Sequence, residues 1–518
     1  MGTGLLNWVR KHTSKEQKLA FWMTFCMTLV VHLYKFTNTL PNHDGMYNVY
    51  TRQNMIGSGR WALQIACGFS SYYDLPWVTG ILSCVFIALA VAVIVKLFHI
   101  QNPVLIFLAG GFLVSSPATT ETFFFQFTAD GYMIAMALAA AGVYLSRIGE
   151  IRKSRFMLSC IMICISCGIY QAYLSFALIL AVCHMIYELM RNEYEKREYL
   201  RWVLRQVLIF GAAVVAYYVL WKILMKVQNR SAVDYQGISE VGTINLEMIV
   251  NGLKSAWSSF NYYFFQLSKD YSWSFYDILN AMMLACCGLG LIVAGIRTKL
   301  WQRPWALVLI VLGILAIVPF AGIWHLTSSN LFYRPMMLQS LMLLYLLTAL
   351  LFEDWAKDLS KNLVGLLLTV IIFHNAVLAN ICYFHMNLCY ERTYADLVDM
   401  MGDIRDMRSE GEFTHLAVVG NRFADVQWGF RNEQGELTKE GKFYLLSSLL
   451  EQNLLVDADQ IGGFLRWYTS ENIPSASSST CQELMTREEV QAMPVWPAEG
   501  SMKIIDGNLV LKLSEFDS

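Results

Sequence analysis

The sequence predicts a polytopic α-helical membrane protein with a small α/β domain at its carboxyl end. The first observation is compositional: of 518 residues, 56% are hydrophobic and only 15% charged, against the roughly 25% charged usual in soluble domains. The second is the run of windows such as Leu19–Tyr34, Trp77–Val95, Trp305–Trp324 and Leu363–Tyr383, which carry few or no charges. They approach the roughly 20 residues needed to span a bilayer core. The third is a change of composition near Met386, after which Glu391, Arg392, Asp396, Asp399, Asp403, Arg405 and Asp406 crowd the chain. Beyond that point no window is long enough to span, so the chain divides into a multi-span part, 1–385, and a soluble α/β part, 386–518.

Apolar windows and their breakers together place about eleven spans, beginning at Leu19, Trp77, Val104, Gly131, Phe156, Tyr170, Trp202, Ile278, Trp305, Met336 and Leu363. Val104–Val114 and Phe156–Gly168 are short, as tilted or re-entrant segments would be. The first segment follows Arg10, Lys11, Lys15 and Lys18 without a small-residue cleavage site, and reads as a retained span. Alternate loops carry Arg147, Arg152, Lys153 and Arg155, then Arg191, Lys196, Arg197 and Arg201, then Arg297, Lys299 and Arg303, with Lys357 and Lys361 last. By the positive-inside rule these loops and the amino terminus are cytoplasmic. The loops around Asp44, Glu121, Asn261 and Arg334 then face outward, and an odd span count makes the carboxyl-terminal domain extracytoplasmic.

Within that domain, Tyr394, Leu397 and Met401 keep a helical period and His415–Gly420 reads as a buried strand. Lys503–Ile505 and Asn508–Lys512 form a hairpin around Asp506-Gly507, and Ser475–Thr480 reads as a flexible loop. Most of the twelve cysteines lie in apolar windows, where a thiol packs as a small hydrophobe, so Cys164-x-x-Cys167 is read as helix packing rather than redox or metal chemistry.

An anchor needs no polar clusters on one side, so chemistry is sought in the outward loops. The first runs Asn42-His43-Asp44-Gly45, then Gly57-Ser58-Gly59-Arg60-Trp61, and ends at Asp74-Leu75-Pro76. Transfer to a sugar hydroxyl requires a carboxylate to take its proton. Asp44 is the candidate base, with His43 beside it, although Asp-Gly alone would also make a turn. A leaving phosphate at headgroup depth calls for a guanidinium, whose fork matches its oxygens. Arg60 and Arg334 stand at that depth, where a snorkelling contact with lipid is the plainer reading of Arg334. The second outward loop adds Glu121 and Asp130 around a phenylalanine run, and Tyr170-Gln171 adds polar groups at an outward turn, where Gln171 could equally bond helix to helix. The loop from Lys226 to Asp277 is aromatic-rich and reads as interfacial.

H-E-x-x-H, G-x-x-x-x-G-K-[ST] and G-x-S-x-G are absent, and the basic residues flank spans rather than line an aromatic groove, which disfavours ATP chemistry and nucleic-acid binding. Asn42-His43-Asp44-Gly45, Ser58-Gly59-Arg60-Trp61, Asp74-Leu75-Pro76, Glu121 through Asp130 and Tyr170-Gln171-Ala172 occur in that order. As a set they resemble the GtrII-type bacterial glucosyltransferase family. The resemblance implies a GT-C-like membrane enzyme taking glucose from undecaprenyl-phosphate sugar and adding it to a cell-surface polysaccharide, such as an O-antigen-like acceptor, outside the cytoplasmic membrane. It also implies partners that make and flip the lipid-linked sugar. Asp44 matches the acid typical of the first outward loop, and His43, Arg60, Trp61, Tyr170, Gln171 and Arg334 are expected around the substrates, with Glu121 and Asp130 as further catalytic acids. Some GT-C enzymes carry two adjacent acids in that loop; here Asp44 is flanked by His43 and Gly45, which leaves a divalent cation as an optional cofactor. A lipid-sugar flippase and a polysaccharide polymerase or ligase are the alternatives. The flippase predicts midplane charges and internal repeats, and no clear repeat is present.

Overall fold

The computed structural model describes residues 11, 13–42, 44–45, 51–70, 72–149, 152–233, 246–265, 274–327, 333–420, 434, 458–469 and 472–515. The described residues fall into two compact units, one drawn from 1–38 and 51–380 and the other from 39–50, 381–441 and 446–518.

The first unit is helical. Its helices are α1 (Lys15–Thr37), α2 (Leu63–Cys67), α3 (Pro76–Leu97), α4 (Pro103–Ser115), α5 (Pro117–Phe124), α6 (Gln126–Leu145), α7 (Lys153–Ile169) and α8 (Tyr173–Arg191). They are followed by α9 (Lys196–Val227), α10 (Leu246–Phe265), α11 (Phe275–Arg297), α12 (Pro304–Ala321), α13 (Leu343–Trp355) and α14 (Asp358–Glu410), whose last thirty residues group with the second unit. Local chemistry sets the starts. Ser14 and Gln17 exchange side-chain and backbone hydrogen bonds as a capping box before α1, and Ser274 and Asp277 do the same before α11. Prolines 76, 103, 117 and 304 open α3, α4, α5 and α12, where the missing N–H costs nothing.

Among the described residues nine helices are long and apolar enough to cross a membrane, or ten if the bent pair α4 and α5 counts as one crossing. The two expected spans outside that count are the segments read as short. α7 has 17 residues, which at about 1.5 Å each reach roughly 26 Å of a core about 30 Å thick. α4 stops at Ser115 because Pro117 cannot donate to its ladder; Ser116 turns the chain, its Oγ accepts the Ala118 N–H at 3.2 Å, and α5 departs at 43°.

Hydrogen bonds define the two ends of this bundle. At one end Trp202 Nε1 donates to Ser146 O at 2.8 Å, Arg303 donates to Leu189 O at 3.0 Å, and Glu353 accepts from Asn102 and pairs with Lys361, each at 3.0 Å. That end holds the turns after α6, α8 and α13. The opposite end gathers the segments after α1, α4, α7 and α12, and it carries the polar residues singled out above.

In the second unit β1 (His415–Val419) runs parallel to β3 (Asn508–Lys512), which pairs antiparallel with β2 (Met502–Ile505), giving the order β1-β3-β2. The β2–β3 turn places Asp506 at φ 49° and Gly507 at φ 73°, the conformation that a two-residue hairpin with the right-handed sheet twist requires. Leu397, Met400 and Ile404 of α14 pack with Leu416, Phe464, Leu509 and Leu511, so the helical period and the strand alternation share one core. Helices α15 (Ala458–Thr469), α16 (Ser478–Met485) and α17 (Glu488–Gln491) complete it. The segment read as a flexible loop is instead structural. Leu416 N–H donates to Pro474 O, Ala476 N–H donates to Leu416 O, both at 2.8 Å, and Ser477 Oγ caps α16 through Thr480 N–H at 3.1 Å. Small hydroxyl residues there serve as caps, a role their poor fit to a core does not reveal.

α1 and α3 touch through Gly80, where a Cβ would stand 2.4 Å from Cγ of the Phe36 ring. Gly80→Leu is therefore expected to lower the thermal unfolding midpoint of the detergent-solubilised protein by several degrees, from an overpacking cost of about 1–3 kcal/mol. An unchanged midpoint would show that the two helices separate without cost.

Candidate active site

The polar end of the bundle is built on the segment 55–61. A short 3₁₀ turn, Ile56–Ser58, closes through Gly59 at φ 79°. Three side chains, two from α9 and one from the turn between α7 and α8, then hold its carbonyls. Trp221 Nε1 donates to Ile56 O at 2.7 Å, Gln171 Nε2 to Ser58 O at 2.8 Å and Tyr217 OH to Gly59 O at 3.2 Å. Gly59 is required twice over: its φ is left-handed, and a Cβ would lie 2.5 Å from both Gln171 Nε2 and Tyr217 OH. Gln171 Nε2 also contacts Tyr217 OH at 3.1 Å, and Gln171 O accepts Trp324 Nε1 at 3.0 Å.

That frame fixes the next two residues. Arg60 Nε donates to Ser58 Oγ and its Nη1 to Tyr132 OH, each at 3.1 Å, while the Tyr132 ring stacks on Tyr170 at 4.3 Å. Arg60 is thus oriented through one hydroxyl of its own loop and one from α6. Trp61 lies flat against Gly168, where a Cβ would meet the indole at 2.5 Å, and its buried Nε1 has no hydrogen-bond partner among the described residues.

Glu121 sits on α5, fully buried. One carboxylate oxygen accepts the Met336 N–H at 2.5 Å, and the other has no hydrogen-bond partner among the described residues. Arg334 precedes the 3₁₀ segment Pro335–Met342 and acts electrostatically on Glu121, with its guanidinium over the Phe125 ring at 5.3 Å. Gln339 Nε2 ties that segment to Thr122 Oγ1 of α5 at 2.7 Å. Asp130, also fully buried, is engaged by the Ser70 hydroxyl and by the Gly131 N–H at 2.9 Å. The structure thus joins Arg60 with Tyr132 and Tyr170, Gln171 with segment 55–61, and Glu121 with Arg334. Asp44, half-buried, belongs to the second unit, and its neighbour His43 lies outside the described residues.

Lys35, which sequence reasoning passed over, and Asp74, named there only within the Asp74-Leu75-Pro76 motif, also belong to this end. Lys35, in the last turn of α1, is buried, and Asp74 acts on it electrostatically. Burial of Asp74 raises its carboxyl above the ordinary range while Lys35 opposes that rise, and Asp74 Oδ1 has no hydrogen-bond partner among the described residues. The signal was a lysine one residue beyond an apolar window, where a charge is costly unless paired. Among the described residues no three His, Cys, Asp or Glu side chains converge as a metal site would require.

His325 gives this end a pH response. It stacks on Tyr333 at 4.2 Å, contacts Ser259 Oγ at 2.9 Å through Nε2, and burial holds its pKa down at about 4. An unfolded histidine takes its proton near 6.5, so between about pH 6.5 and 4 the unfolded chain binds the proton that the folded one refuses. Stability present above pH 6.5 is therefore lost as the pH falls through that window. Thermal unfolding measured from pH 7 to 4 is expected to show a smaller fall for His325→Gln than for the wild type; equal slopes would remove His325 as the cause.

No curated protein and no solved structure matches the chain. The family model described as Glucosyl transferase GtrII matches residues 33–352, which take in α1 from its last turns, segment 55–61, Glu121, Asp130, Tyr170, Gln171 and Arg334. That match covers more than half of the chain and every residue of the polar end just described, and the chain belongs to the GtrII glucosyltransferase family.

Proposed function

We propose that this multi-pass protein transfers glucose from undecaprenyl-phosphate glucose to a cell-surface polysaccharide at the outer side of the cytoplasmic membrane. The observation that carries the reading is the placing of Arg60, held by the Ser58 and Tyr132 hydroxyls, and of Arg334, over the Phe125 ring, at one end of the bundle, with Arg147, Arg152, Lys153 and Arg303 at the other. Positive charge on the turns of the opposite end supports a cytoplasmic assignment for it, and with it a cytoplasmic amino terminus. Asp44 lies in the segment that follows α1, and in this reading the carboxyl-terminal unit is extracytoplasmic. A donor on a lipid phosphate fits two guanidiniums at headgroup depth, and family membership supports glucose.

In this reading an acceptor hydroxyl oxygen attacks the anomeric carbon as the bond from that carbon to the phosphate oxygen breaks. The hydroxyl proton passes to the Asp44 carboxylate, and the electron pair leaves on the polyprenyl phosphate, so the configuration inverts. Arg334 and Arg60 stabilise the departing phosphate electrostatically, which counts most where water is excluded. Glu121, anchored on the Met336 N–H and acted on by Arg334, holds the start of the 335–342 segment that presents that arginine. Asp130 is committed to Ser70 and the Gly131 N–H and serves as a positioning residue. Tyr170 and Trp61 offer ring faces to sugar, and enzymes that make and flip the lipid-linked glucose supply the donor.

The test is transfer of radiolabelled glucose from polyprenyl-phosphate glucose to acceptor glycan by detergent-solubilised protein. Asp44→Asn, checked for wild-type elution on gel filtration, is expected to lose about 10²–10⁴-fold in turnover, and Arg334→Ala about 10²–10³-fold. Full turnover by Asp44→Asn would move the base to Glu121 or Asp130. No wild-type transfer from any lipid-linked hexose would favour the flippase reading.

A further inference from the structure

At the bundle end opposite the candidate active site, a cavity of about 300 Å³ lies between the first turns of α4, the last turns of α13 and the start of α14. Its mouth is polar. Glu353 Oε1 accepts from Asn102 Nδ2 and Glu353 Oε2 pairs with Lys361 Nζ, each at 3.0 Å, and of the described lining residues only these two are charged. The Lys361 and Glu353 side chains keep 33% and 23% of their surface exposed, so both stay within reach of a ligand. Deeper in, Leu105 and Leu108 of α4, Phe352 of α13 and Leu368 of α14 form apolar walls, and Gly365 leaves room between them. A glycine inside a helix weakens it relative to alanine, yet a Cβ at Gly365 would meet no atom within 4 Å, so packing inside the protein does not call for one. Of the helical glycines with the same open space, Gly211, Gly288 and Gly402 line none of the described cavities, whereas Gly365 lines this one.

We infer that this cavity binds phosphatidylethanolamine, with the headgroup on the Lys361–Glu353 pair and an acyl chain in the apolar part, a lipid site remote from the reacting sugar. The headgroup carries a phosphate anion and a primary ammonium a few ångströms apart, and the mouth offers one cation and one anion to meet them. The phosphate accepts from Lys361, whose ammonium has three donors, and the ethanolamine ammonium donates to Glu353, whose carboxylate can accept more than the two bonds it has. A phosphatidylglycerol headgroup has no cation to give Glu353, and a choline has no N–H. An acyl chain follows from position. All three helices belong to candidate membrane crossings, and Val104 and Leu366 at the lips of the cavity are exposed, so hydrocarbon borders its opening. The inference goes beyond the transfer reaction and is independent of which sugar or acceptor the enzyme uses.

The test is native mass spectrometry of the full-length protein in detergent, titrated with phosphatidylethanolamine, phosphatidylglycerol or phosphatidylcholine of the same acyl chains. Phosphatidylethanolamine is expected to bind about fivefold more tightly than either, the worth of one charge at a lipid surface. Gly365→Leu, which fills the apolar part, is expected to weaken that binding about tenfold by excluding a few methylene groups. The control Gly288→Leu, in equally open space on α11, should leave it unchanged. Glu353→Gln should bring phosphatidylethanolamine level with phosphatidylglycerol, and the exchanged pair, Glu353→Lys with Lys361→Glu, should restore the preference. Equal retention of the three lipids, a preference that survives Glu353→Gln, binding unaffected by Gly365→Leu, an equal loss in Gly288→Leu, displacement by millimolar phosphoethanolamine, or a dimer that Gly365→Leu dissociates would each overturn the assignment. Binding is read without donor or acceptor, so such a failure leaves the proposed transfer reaction standing.

Discussion

The polar end of this protein depends on the side chain and backbone of Gln171. A buried backbone polar group must find a partner within the protein, and irregular backbone survives burial only where other residues satisfy it. Segment 55–61 is such backbone. Gln171 donates to Ser58 O, meets Tyr217 beside Gly59, and accepts from Trp324 through its own carbonyl. One residue in the turn between α7 and α8 therefore joins the first loop to α9 and to the 3₁₀ turn that follows α12. Arg60 inherits its position from this arrangement, because it leaves the chain directly after the carbonyls that Gln171 and Tyr217 hold.

A second anchor works in the same way on the other cation. Glu121 lies on α5 only because Pro117 ends α4 and redirects the chain, and its carboxylate grips the backbone at Met336 rather than a distant side chain. The bend that spoils a simple membrane crossing thus delivers a buried acid to the segment that starts at Arg334. Two independent irregularities serve the two arginines: the Gly59 turn leads into Arg60, and the Ser116 bend places the acid that holds the backbone two residues after Arg334. Regular helices between them keep the ends apart, with pairs such as Trp202 to Ser146 and Lys361 to Glu353 closing the opposite end.

Much of this was legible in the residues. Charge-free windows marked the crossings, positive loops separated the two ends, and Asp506-Gly507 marked the hairpin because few residue pairs tolerate its backbone angles. The order of the motifs from Asn42 to Ala172 indicated the family. The span count was less legible, since hydropathy does not show that Pro117 bends a crossing or that α7 stops at 17 residues. Partnerships were illegible altogether: nothing near Tyr132 in the sequence points to Arg60, and nothing near Met336 points to Glu121, because those pairs are made by helix packing between segments 72 and 215 residues apart. The Lys35 and Asp74 association escaped for the same reason, and Ser477 read as loop because its capping role depends on the helix that follows.

The central claim is that the lipid-phosphate donor sits at the Gln171 end of the bundle. The most direct measurement is photocrosslinking of a benzophenone-bearing polyprenyl-phosphate glucose to the detergent-solubilised enzyme, with the modified peptides mapped by mass spectrometry and competed with unmodified donor. Competed crosslinks in the peptides that carry Arg60, Phe125 and Arg334 are the predicted result. Competed crosslinks confined to the turns after α6, α8 and α13 would contradict the account.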